Sequence, residues 1–235
     1  MIKVLEPGLL MTLQDFGRFG YLSKGLTRGG PADENAFLWA NKLLDNRFDA
    51  AQLEITLGGA TLQFEQPTQF AITGAEVPLT LDEQPLAVWQ NYQAKAGQVL
   101  KVGMAKHGLR AYLAVAGGFS AEPQWGSVAT VMREKIGGPQ QDGSPVQAGQ
   151  TLSAPRAGRF VSRRVSWKYQ PDYSKTPTLG LLPGNQYDQF PTSVRENFCF
   201  HDYTVDSSSN RMGVRLKGQA LNYEGKGIVS EGINI

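Results

Sequence analysis

Five glycine-rich stretches in this sequence carry polar side chains or main-chain N–H groups that could bind an anion. They are DFGRFGYLSKG (15–25), LTRGGPADENAF (26–37), AVAGGF (114–119), REKIGGPQQDG (133–143) and SSSNRMG (207–213). Glycine lets the main chain approach a ligand closely, and an arginine guanidinium offers paired N–H donors to a carboxylate, a phosphate or an amide. Each stretch alone is compatible with an ordinary turn. Together they predict a polar, anion-accepting cleft between β-elements.

Several other kinds of site are not expected from the sequence. The chain has two histidines, His107 and His201, one cysteine, Cys199, and no HExxH motif, so a protein-only zinc or iron site is not expected. It has no GxxxxGK[ST] phosphate loop and no serine in a GxSxG elbow. The DFG triplet at 15–17 is a chance match to the kinase motif, because no HRD sequence follows it.

Composition places the chain among ordinary globular proteins. Hydrophobic residues make up 41% of its 235 residues, and the net charge of +2 gives no signature of nucleic-acid binding. The N-terminus, MIKVLEPGLL, is too interrupted for a signal sequence, and no apolar run reaches membrane-spanning length. We therefore expect a cytoplasmic protein that binds neither nucleic acid nor membrane. Cys199 lies between two phenylalanines, which predicts a small hydrophobic residue in a buried strand.

One helix is predicted, over residues 31–45. Ala36, Trp39, Ala40 and Leu43 recur at i, i+3, i+4 and i+7, the spacing of a helical face. Acidic residues at the start of this segment, such as Asp33, favour the positive end of the helix dipole, so helix capping is one interpretation of them. Capping alone gives no reason for the arginine in the preceding RGGP sequence.

The rest of the chain is rich in short β-favouring runs with glycine, proline or asparagine at their ends, which predicts a barrel or a sandwich. The predicted strands are Ile2–Leu5, Ala60–Phe64, Gln69–Ile72, Val77–Leu81, Val99–Val102, Arg110–Val115, Thr151–Leu152, Arg159–Trp167, Thr178–Leu182 and Gln219–Leu221.

The basic segment 153–177 has prolines near both ends and indicates a boundary between two halves of the chain. A basic edge strand explains its charge, because charged edges protect sheets from aggregation. The alternative is a phosphate- or nucleic-acid-binding stripe in which Trp167 and Tyr169 alternate with the cations.

The ordered set of motifs resembles a known family. DFGRFGY, LTRGGPADENAFLWANKLLDN, LEITLGG, RAYLAVAGGF, GSVAT, LLPGNQ, SNRMGVRL and SEGI occur in the order typical of allophanate hydrolase subunit 2, KipA-like proteins and biotin-dependent carboxyltransferase subdomains A and B. The resemblance runs from Val4 to the last residue. It implies a mainly β fold of two cyclophilin-like barrel subdomains, over residues 1–155 and 156–235, with one prominent helix near the N-terminus.

The family pattern continues beyond SEGI with a glycine-led strand, so we expect the second barrel to be truncated at Ile235. Unpaired strand edges would then predict aggregation or dependence on a strand from a partner.

Stand-alone members of this form resemble the C component of ATP-dependent 5-oxoprolinase. The resemblance implies a hydrolase component that is inactive alone and acts with a KipI-like B component and a LamB/YcsF-type A component. ATP, with Mg²⁺ as its counter-ion, would be the cofactor, held here or by a partner. Two alternatives remain open: amide carboxylation or allophanate chemistry with biotin supplied in trans, and a regulatory KipA-like antagonist of a sensor-kinase inhibitor.

Site residues follow from the same resemblance. Asp33 and Glu231 are candidates for an amide acceptor or general base, although helix capping is an equal explanation for Asp33. The candidates for binding substrate or anion are Arg18, Arg28, Arg110, Thr130, Arg133, Asn210 and Arg211. No metal ligand is predicted.

Overall fold

The fold is described from a computed structural model, which covers residues 1–155, 158–184, 186–209 and 213–222. It divides into two compact units, Met1–Thr176 and Pro177–Ile235. The predicted division at 155/156 differs from this one, because residues 158–176 make their described contacts with the first unit. In the described residues, no helix is long and apolar enough to cross a membrane.

The first unit is mainly β, as predicted. Its strands are β1 (Ile2–Pro7), β2 (Leu10–Gln14), β3 (Gln52–Thr56), β4 (Ala60–Phe64), β5 (Thr68–Glu76), β6 (Leu79–Leu81), β7 (Gln84–Leu86), β8 (Gln90–Ala94), β9 (Val99–Val102), β10 (His107–Val115) and β11 (Thr151–Leu152). Its α-helix, α1, spans Glu34–Leu43, and short 3-10 turns lie at Leu22–Lys24 and Trp167–Tyr169.

These strands form two antiparallel sheets. One has the order β11-β1-β4-β9-β6-β7, and the other has the order β2-β3-β10-β5-β8. Alternate side chains of β10 point to opposite faces of the second sheet, as the pleat requires. Leu113 and Val115 enter the core that both sheets share, whereas Tyr112 and Ala114 pack against α1. The second sheet is therefore covered on both faces.

The helix forms where its period predicts. Ala36, Ala40 and Leu43 are buried against the sheet together with Phe37, and Trp39 is half-buried. The helix begins at Glu34, three residues after Pro31, because Asp33 supplies the N-cap.

Residues 158–176 run past β8, the edge strand of the second sheet, and cover it. Asn91 of β8 exchanges hydrogen bonds with the main chain of Val161 and Arg163, and the Val165 amide donates to the Trp89 carbonyl at 2.9 Å. The basic segment thus covers an edge strand, although the full strand predicted at Arg159–Trp167 is wrong: only an isolated bridge forms, at Arg164.

The second unit contains, in its described residues, a 3-10 turn at Tyr187–Gln189, the helix α2 (Thr192–Phe200), and the paired strands β12 (Thr204–Val205) and β13 (Leu216–Lys217). The prediction of a buried strand around Cys199 is wrong, because the residue is exposed on α2. The three-residue sequence Phe-Cys-Phe does not distinguish a strand from a helix, and here it forms the end of the helix that starts after Pro191. The predicted strands Thr178–Leu182 and Gln219–Leu221 are also absent from the described residues.

Candidate functional site

Asp33 caps helix α1 with one carboxylate oxygen and binds a tyrosine with the other. Its Oδ1 accepts a hydrogen bond from the Ala36 amide at 2.9 Å, and its Oδ2 accepts one from the Tyr173 hydroxyl at 2.5 Å. The Asp33 amide donates to the Tyr112 hydroxyl at 2.7 Å. The capping interpretation is therefore confirmed. The proposed role as a general base stays a prediction, and these contacts leave neither oxygen without a partner.

Behind this cap lies a buried carboxylate. Glu54 is 1% exposed, and its Oε2 accepts hydrogen bonds from the Tyr112 hydroxyl at 2.8 Å and the Ala32 amide at 3.0 Å. Arg110 approaches the other oxygen, with Nε 3.5 Å from Oε1, and donates through Nη1 to Thr56 at 2.5 Å. The register of β3 and β10 creates this cluster, because Glu54 lies opposite Tyr112 and Thr56 lies opposite Arg110.

The two tyrosines at the helix mouth are neutral hydrogen-bond donors at neutral pH. Burial is the main cause that raises the pKa of Tyr112 above its usual value, and the negative charge of Glu54 adds to it. Burial also raises the pKa of Tyr173, with further contributions from its hydrogen bond to Asp33 and from that carboxylate's charge. Their hydroxyl groups thus hold the helix mouth through hydrogen bonds rather than through charge.

Arg28 lies at the same mouth and remains accessible. Its guanidinium carbon is 4.5 Å from the ring centroid of Phe19 and 5.2 Å from that of Phe16. Its Nη2 donates to Glu34 at 3.0 Å and to the Phe16 carbonyl at 3.4 Å. The side chain is 31% exposed, and within the described residues Nη1 makes no hydrogen bond. A cation stacked on aromatic rings and open to solvent can accept an anionic ligand.

Close packing of two main-chain loops explains a glycine in each of them, Gly17 beside Arg18 and Gly30 after Arg28. The Arg18 amide donates to the Arg28 carbonyl at 2.7 Å, so the two loops run side by side. A Cβ on Gly17 (φ 101°) would lie 2.9 Å from the Arg28 carbonyl oxygen, and one on Gly30 (φ 89°) would lie 2.9 Å from that of Phe16. Both positions therefore require glycine.

Arg18 has a different position from Arg28. Its side chain is 2% exposed, and its guanidinium donates to the carbonyls of Ala129 at 2.8 Å, Ser127 at 3.3 Å and Gln124 at 3.3 Å. Burial lowers its pKa, an effect opposed by nearby carboxylates. These contacts make Arg18 a residue that positions the 124–129 loop, and the proposed anion-binding role stays a prediction.

Asp15 binds the same loop from the other side. Its Oδ1 accepts from the Ser127 hydroxyl at 2.5 Å and the Gly17 amide at 2.9 Å, and its Oδ2 accepts from the Val128 amide at 2.8 Å. The DFGR sequence therefore joins the first glycine-rich stretch to residues more than a hundred positions later.

The remaining site candidates are dispersed. Thr130 is buried and donates to the Leu13 carbonyl at 2.9 Å, a structural contact. Arg133 is exposed and forms no ion pair with another described residue. The candidates Asn210, Arg211 and Glu231 lie outside the described residues. No group of three or more potential metal-ligating side chains occurs in the described part of the chain.

Comparison with known proteins now identifies the family. Residues 24–235 match the family model described as carboxyltransferase domain, subdomain A and B. The chain belongs to this carboxyltransferase-domain family.

Curated relatives and solved structures agree with this assignment. The protein named as the C subunit of 5-oxoprolinase in Escherichia coli (strain K12) is 36% identical over 227 residues, which cover 94% of this chain and 70% of that protein. The protein of the same name from Haemophilus influenzae is 34% identical, with the same two coverages. The crystal structure of Kluyveromyces lactis urea carboxylase superposes with a TM-score of 0.79 and 31% identity, over 94% of this chain and 21% of that one.

The carboxyltransferase-domain structure brings together residues that sequence reasoning did not select. Glu54 had a weak signal, as an acidic residue inside the β-favouring LEITLGG sequence, and Tyr112 lies in the alternating RAYLAVA run. Tyr173 had none, because its contact with Asp33 spans 140 positions.

A groove of about 740 Å³ lies beside the AVAGGF stretch of this carboxyltransferase-domain protein. Its lining includes Asp15, Asn46, Gly117 and Phe119. The Asn46 side chain donates to the Val115 carbonyl at 2.8 Å and accepts from the Gly117 amide at 2.7 Å. The groove also presents a cation, Arg47, whose side chain is 82% exposed and pairs with Asp49. The cation at the helix mouth, Arg28, differs in that it is stacked on aromatic rings.

Proposed function

We propose that this chain is the C component of an ATP-dependent 5-oxoprolinase, which hydrolyses 5-oxo-L-proline to L-glutamate. It would act in the cytoplasm with a KipI-like B component and a LamB/YcsF-type A component, and would be inactive without them. The observation that carries this proposal is the 36% identity to a protein named as the C subunit of 5-oxoprolinase, over 94% of this chain.

The chemistry explains the requirement for ATP. A five-membered lactam is a stable amide, so its carbonyl must be activated before water can attack. Transfer of the γ-phosphoryl group to the carbonyl oxygen would leave ADP and create a good leaving group. Water would then add to the activated carbon, and the ring C–N bond would break with a proton taken up by nitrogen, which leaves an acyl phosphate. A second water would hydrolyse this acyl phosphate to the carboxylate and release phosphate. Such a site has to accommodate a carboxylate, an amide and a phosphate.

The helix mouth supplies part of that site. Arg28 would bind the substrate carboxylate or the transferred phosphoryl group through the guanidinium edge that Glu34 leaves unused. The buried network of Glu54, Tyr112 and Asp33 would hold the loop that carries Arg28 at a constant position. Nucleotide and Mg²⁺ would be held either by this chain, which has no GxxxxGK[ST] phosphate loop, or by a partner protein.

A second candidate function is carboxyl transfer to a small amide. The similarity to the Kluyveromyces lactis urea carboxylase structure, with a TM-score of 0.79, favours it. Biotin would be supplied by a biotin carrier, whose lysine-containing turn does not occur in these 235 residues.

Two parallel reconstitutions distinguish the two candidate functions. The full-length chain is mixed with its KipI-like and LamB/YcsF-type partners, and glutamate formation from ATP and 5-oxoproline is measured with each protein omitted in turn. We expect activity that disappears when this chain is left out. A parallel mixture contains biotin carboxylase, biotinylated carrier, urea and labelled bicarbonate. Label incorporation that depends on this chain, with no glutamate formed by a correctly assembled three-protein complex, would replace the first proposal with the second.

A further inference from the structure

Large apolar side chains are exposed next to the helix mouth. We define the Trp125 surface by the exposed residues Phe19, Leu22, Trp125 and Met132 and the half-buried Tyr21. Leu22 is 75% exposed and Trp125 is 49% exposed. Single exposed apolar residues are normal on proteins, whereas a group of them bordered by charges is typical of a protein–protein interface. Aromatic residues and methionine are also enriched at such interfaces.

Contacts between loops bring the separate parts of this surface together. The rings of Tyr21 and Trp125 meet edge to face, with centroids 5.5 Å apart. Thr27 donates to Glu134 at 2.6 Å, which holds the turn containing Met132 against the loop that follows Leu22. These two contacts place the loops that carry the Trp125 surface next to one another.

Trp125 is held in an unfavourable main-chain conformation. It has φ 54°, and it is a central residue of the turn that the bridge between Gln124 and Ser127 closes. A bulky residue at positive φ is a conformational outlier, which persists only where surrounding contacts require it. The buried Arg18 guanidinium donates to the carbonyls of Gln124 and Ser127, on both sides of the tryptophan. The fold thus holds this indole at the surface.

Unpaired cations border the Trp125 surface. The Lys24 ammonium lies 5.3 Å from the Trp125 ring centroid and 5.5 Å from that of Tyr21. Arg133 and Lys135 are exposed on the turn next to Met132. Among the described residues, none of these three cations forms an ion pair. A partner that fits this border would present carboxylates around an apolar centre.

We propose that the Trp125 surface is where the KipI-like partner docks, through an apolar patch of that protein bordered by acidic side chains. The identity of the partner rests on the proposed function, whereas the chemistry of the surface rests on these contacts. The exposed Leu22 and Met132 favour a protein over single-stranded nucleic acid, because aliphatic side chains offer no ring on which a base can stack.

The test measures, by isothermal titration calorimetry, how the purified full-length chain binds the KipI-like partner. Trp125→Ala is compared with Trp167→Ala, which removes an indole that is 83% exposed outside the Trp125 surface. Because truncation of a central interface tryptophan weakens binding strongly, we expect the Kd to rise about 30-fold for Trp125→Ala. The control should change it by less than about two-fold. Thermal melts verify that both variants are folded.

Charge reversal supplies a second measurement, which does not depend on the strained turn. Lys24→Glu should weaken binding and reduce its salt dependence, whereas Lys168→Glu, beside exposed Tyr169, should change neither. Wild-type affinity in both Trp125→Ala and Lys24→Glu would overturn the docking proposal and leave the proposed activity intact.

The two proposals can fail separately. If the wild-type pair binds, Trp125→Ala weakens binding and no glutamate forms, the docking proposal is supported and the 5-oxoprolinase proposal fails. If glutamate forms but Trp125→Ala and Lys24→Glu both bind normally, only the docking proposal fails. A fluorescent single-stranded oligothymidine that binds the wild type but not Trp125→Ala would also overturn it. Excess KipI-like partner should restore glutamate formation by Trp125→Ala, which a catalytic role would not allow.

Discussion

The Tyr173 hydroxyl donates a 2.5 Å hydrogen bond to Oδ2 of Asp33, the residue that caps α1. This bond joins the segment that covers the sheet edge to the mouth of the helix. It connects two parts of the chain that are 140 positions apart.

Replacement of Tyr173 by Phe removes this donor and keeps the ring. We expect the free energy of unfolding to fall by about 1 kcal/mol, the usual contribution of one hydrogen bond. Urea denaturation measures it. The control is Tyr169→Phe, because the Tyr169 hydroxyl makes no described hydrogen bond, and this change should stay within about 0.5 kcal/mol. Equal effects would contradict the importance of the Tyr173–Asp33 bond.

Two replacements of Asp33 distinguish capping from catalysis. Asp33→Ala removes the acceptors for both the Ala36 amide and the Tyr173 hydroxyl and should lower stability by about 2 kcal/mol, whereas Asp33→Asn keeps an N-cap oxygen and should lose less. We expect Asp33→Asn to retain glutamate formation in the reconstituted complex. A folded Asp33→Asn protein without activity would show that the ionised carboxylate takes part in the chemistry.

Replacement of Arg18 by lysine should lower the stability of the folded protein. A lysine ammonium cannot reproduce the planar set of donors that reaches Gln124, Ser127 and Ala129, so at least one buried carbonyl would lose its partner. We expect Arg18→Lys to lower the free energy of unfolding by about 2 kcal/mol. Arg133→Lys, at an exposed position, should change it by less than about 0.5 kcal/mol. A neutral Arg18→Lys would mean that the guanidinium is not required for the loop.

Alkaline pH should destabilise the protein through buried Tyr112 and half-buried Tyr173. The pKa of Tyr112 is higher in the folded protein than the usual value of about 10, so the folded state retains a proton that the unfolded chain loses. The stabilisation is complete below that usual pKa and is lost as the pH rises above it.

For each proton that the folded state keeps and the unfolded chain loses, the free energy of unfolding falls by about 1.4 kcal/mol per pH unit. Tyr112→Phe should reduce the slope of unfolding free energy against pH above about pH 10, whatever its effect at neutral pH. The pKa of Tyr173 is also raised in the folded protein, so Tyr112→Phe should still lose stability with rising pH, although less steeply. An unchanged slope would show that Tyr112 ionises alike in both states.

Arg28 should matter for activity more than for stability. Arg28→Met removes an exposed ion pair with Glu34, a type of contact that contributes at most about 1 kcal/mol. If the guanidinium binds an anionic group of the substrate, kcat/KM for glutamate formation should fall about tenfold or more. Glu34→Gln breaks the same ion pair but leaves the guanidinium, and should retain activity. Loss of activity in both variants would point to the ion pair instead.

The helix and its cap were predictable because their signals are local. The spacing of Ala36, Ala40 and Leu43 sets the buried face within two turns, and Asp33 bonds to an amide three residues away. The strand Val99–Val102 was likewise predicted with the same bounds, since alternation and turn residues lie within the segment itself. At Cys199 the local signal failed, because two flanking aromatic residues do not distinguish a strand from a helix.

The sequence does not distinguish the roles of the two arginines in the first two glycine-rich stretches. Arg18 and Arg28 have similar neighbours in sequence, with glycines close to each, so both were predicted to bind an anion. The fold buries the first among carbonyl oxygens and leaves the second stacked on aromatic rings at the surface. Their difference depends on residues 124–129, more than a hundred positions away.

The sequence by itself determined the family, the mainly β architecture, helix α1 and its cap, because these depend on ordered motifs and on periodicities within short segments. Only the tertiary structure decided which polar residues are structural and which are accessible. It paired Glu54 with Tyr112, brought Tyr173 to Asp33 and placed Trp125 at the surface beside Lys24. Strand register and loop packing create these contacts between distant residues, and neither is encoded in the neighbours of any one of them.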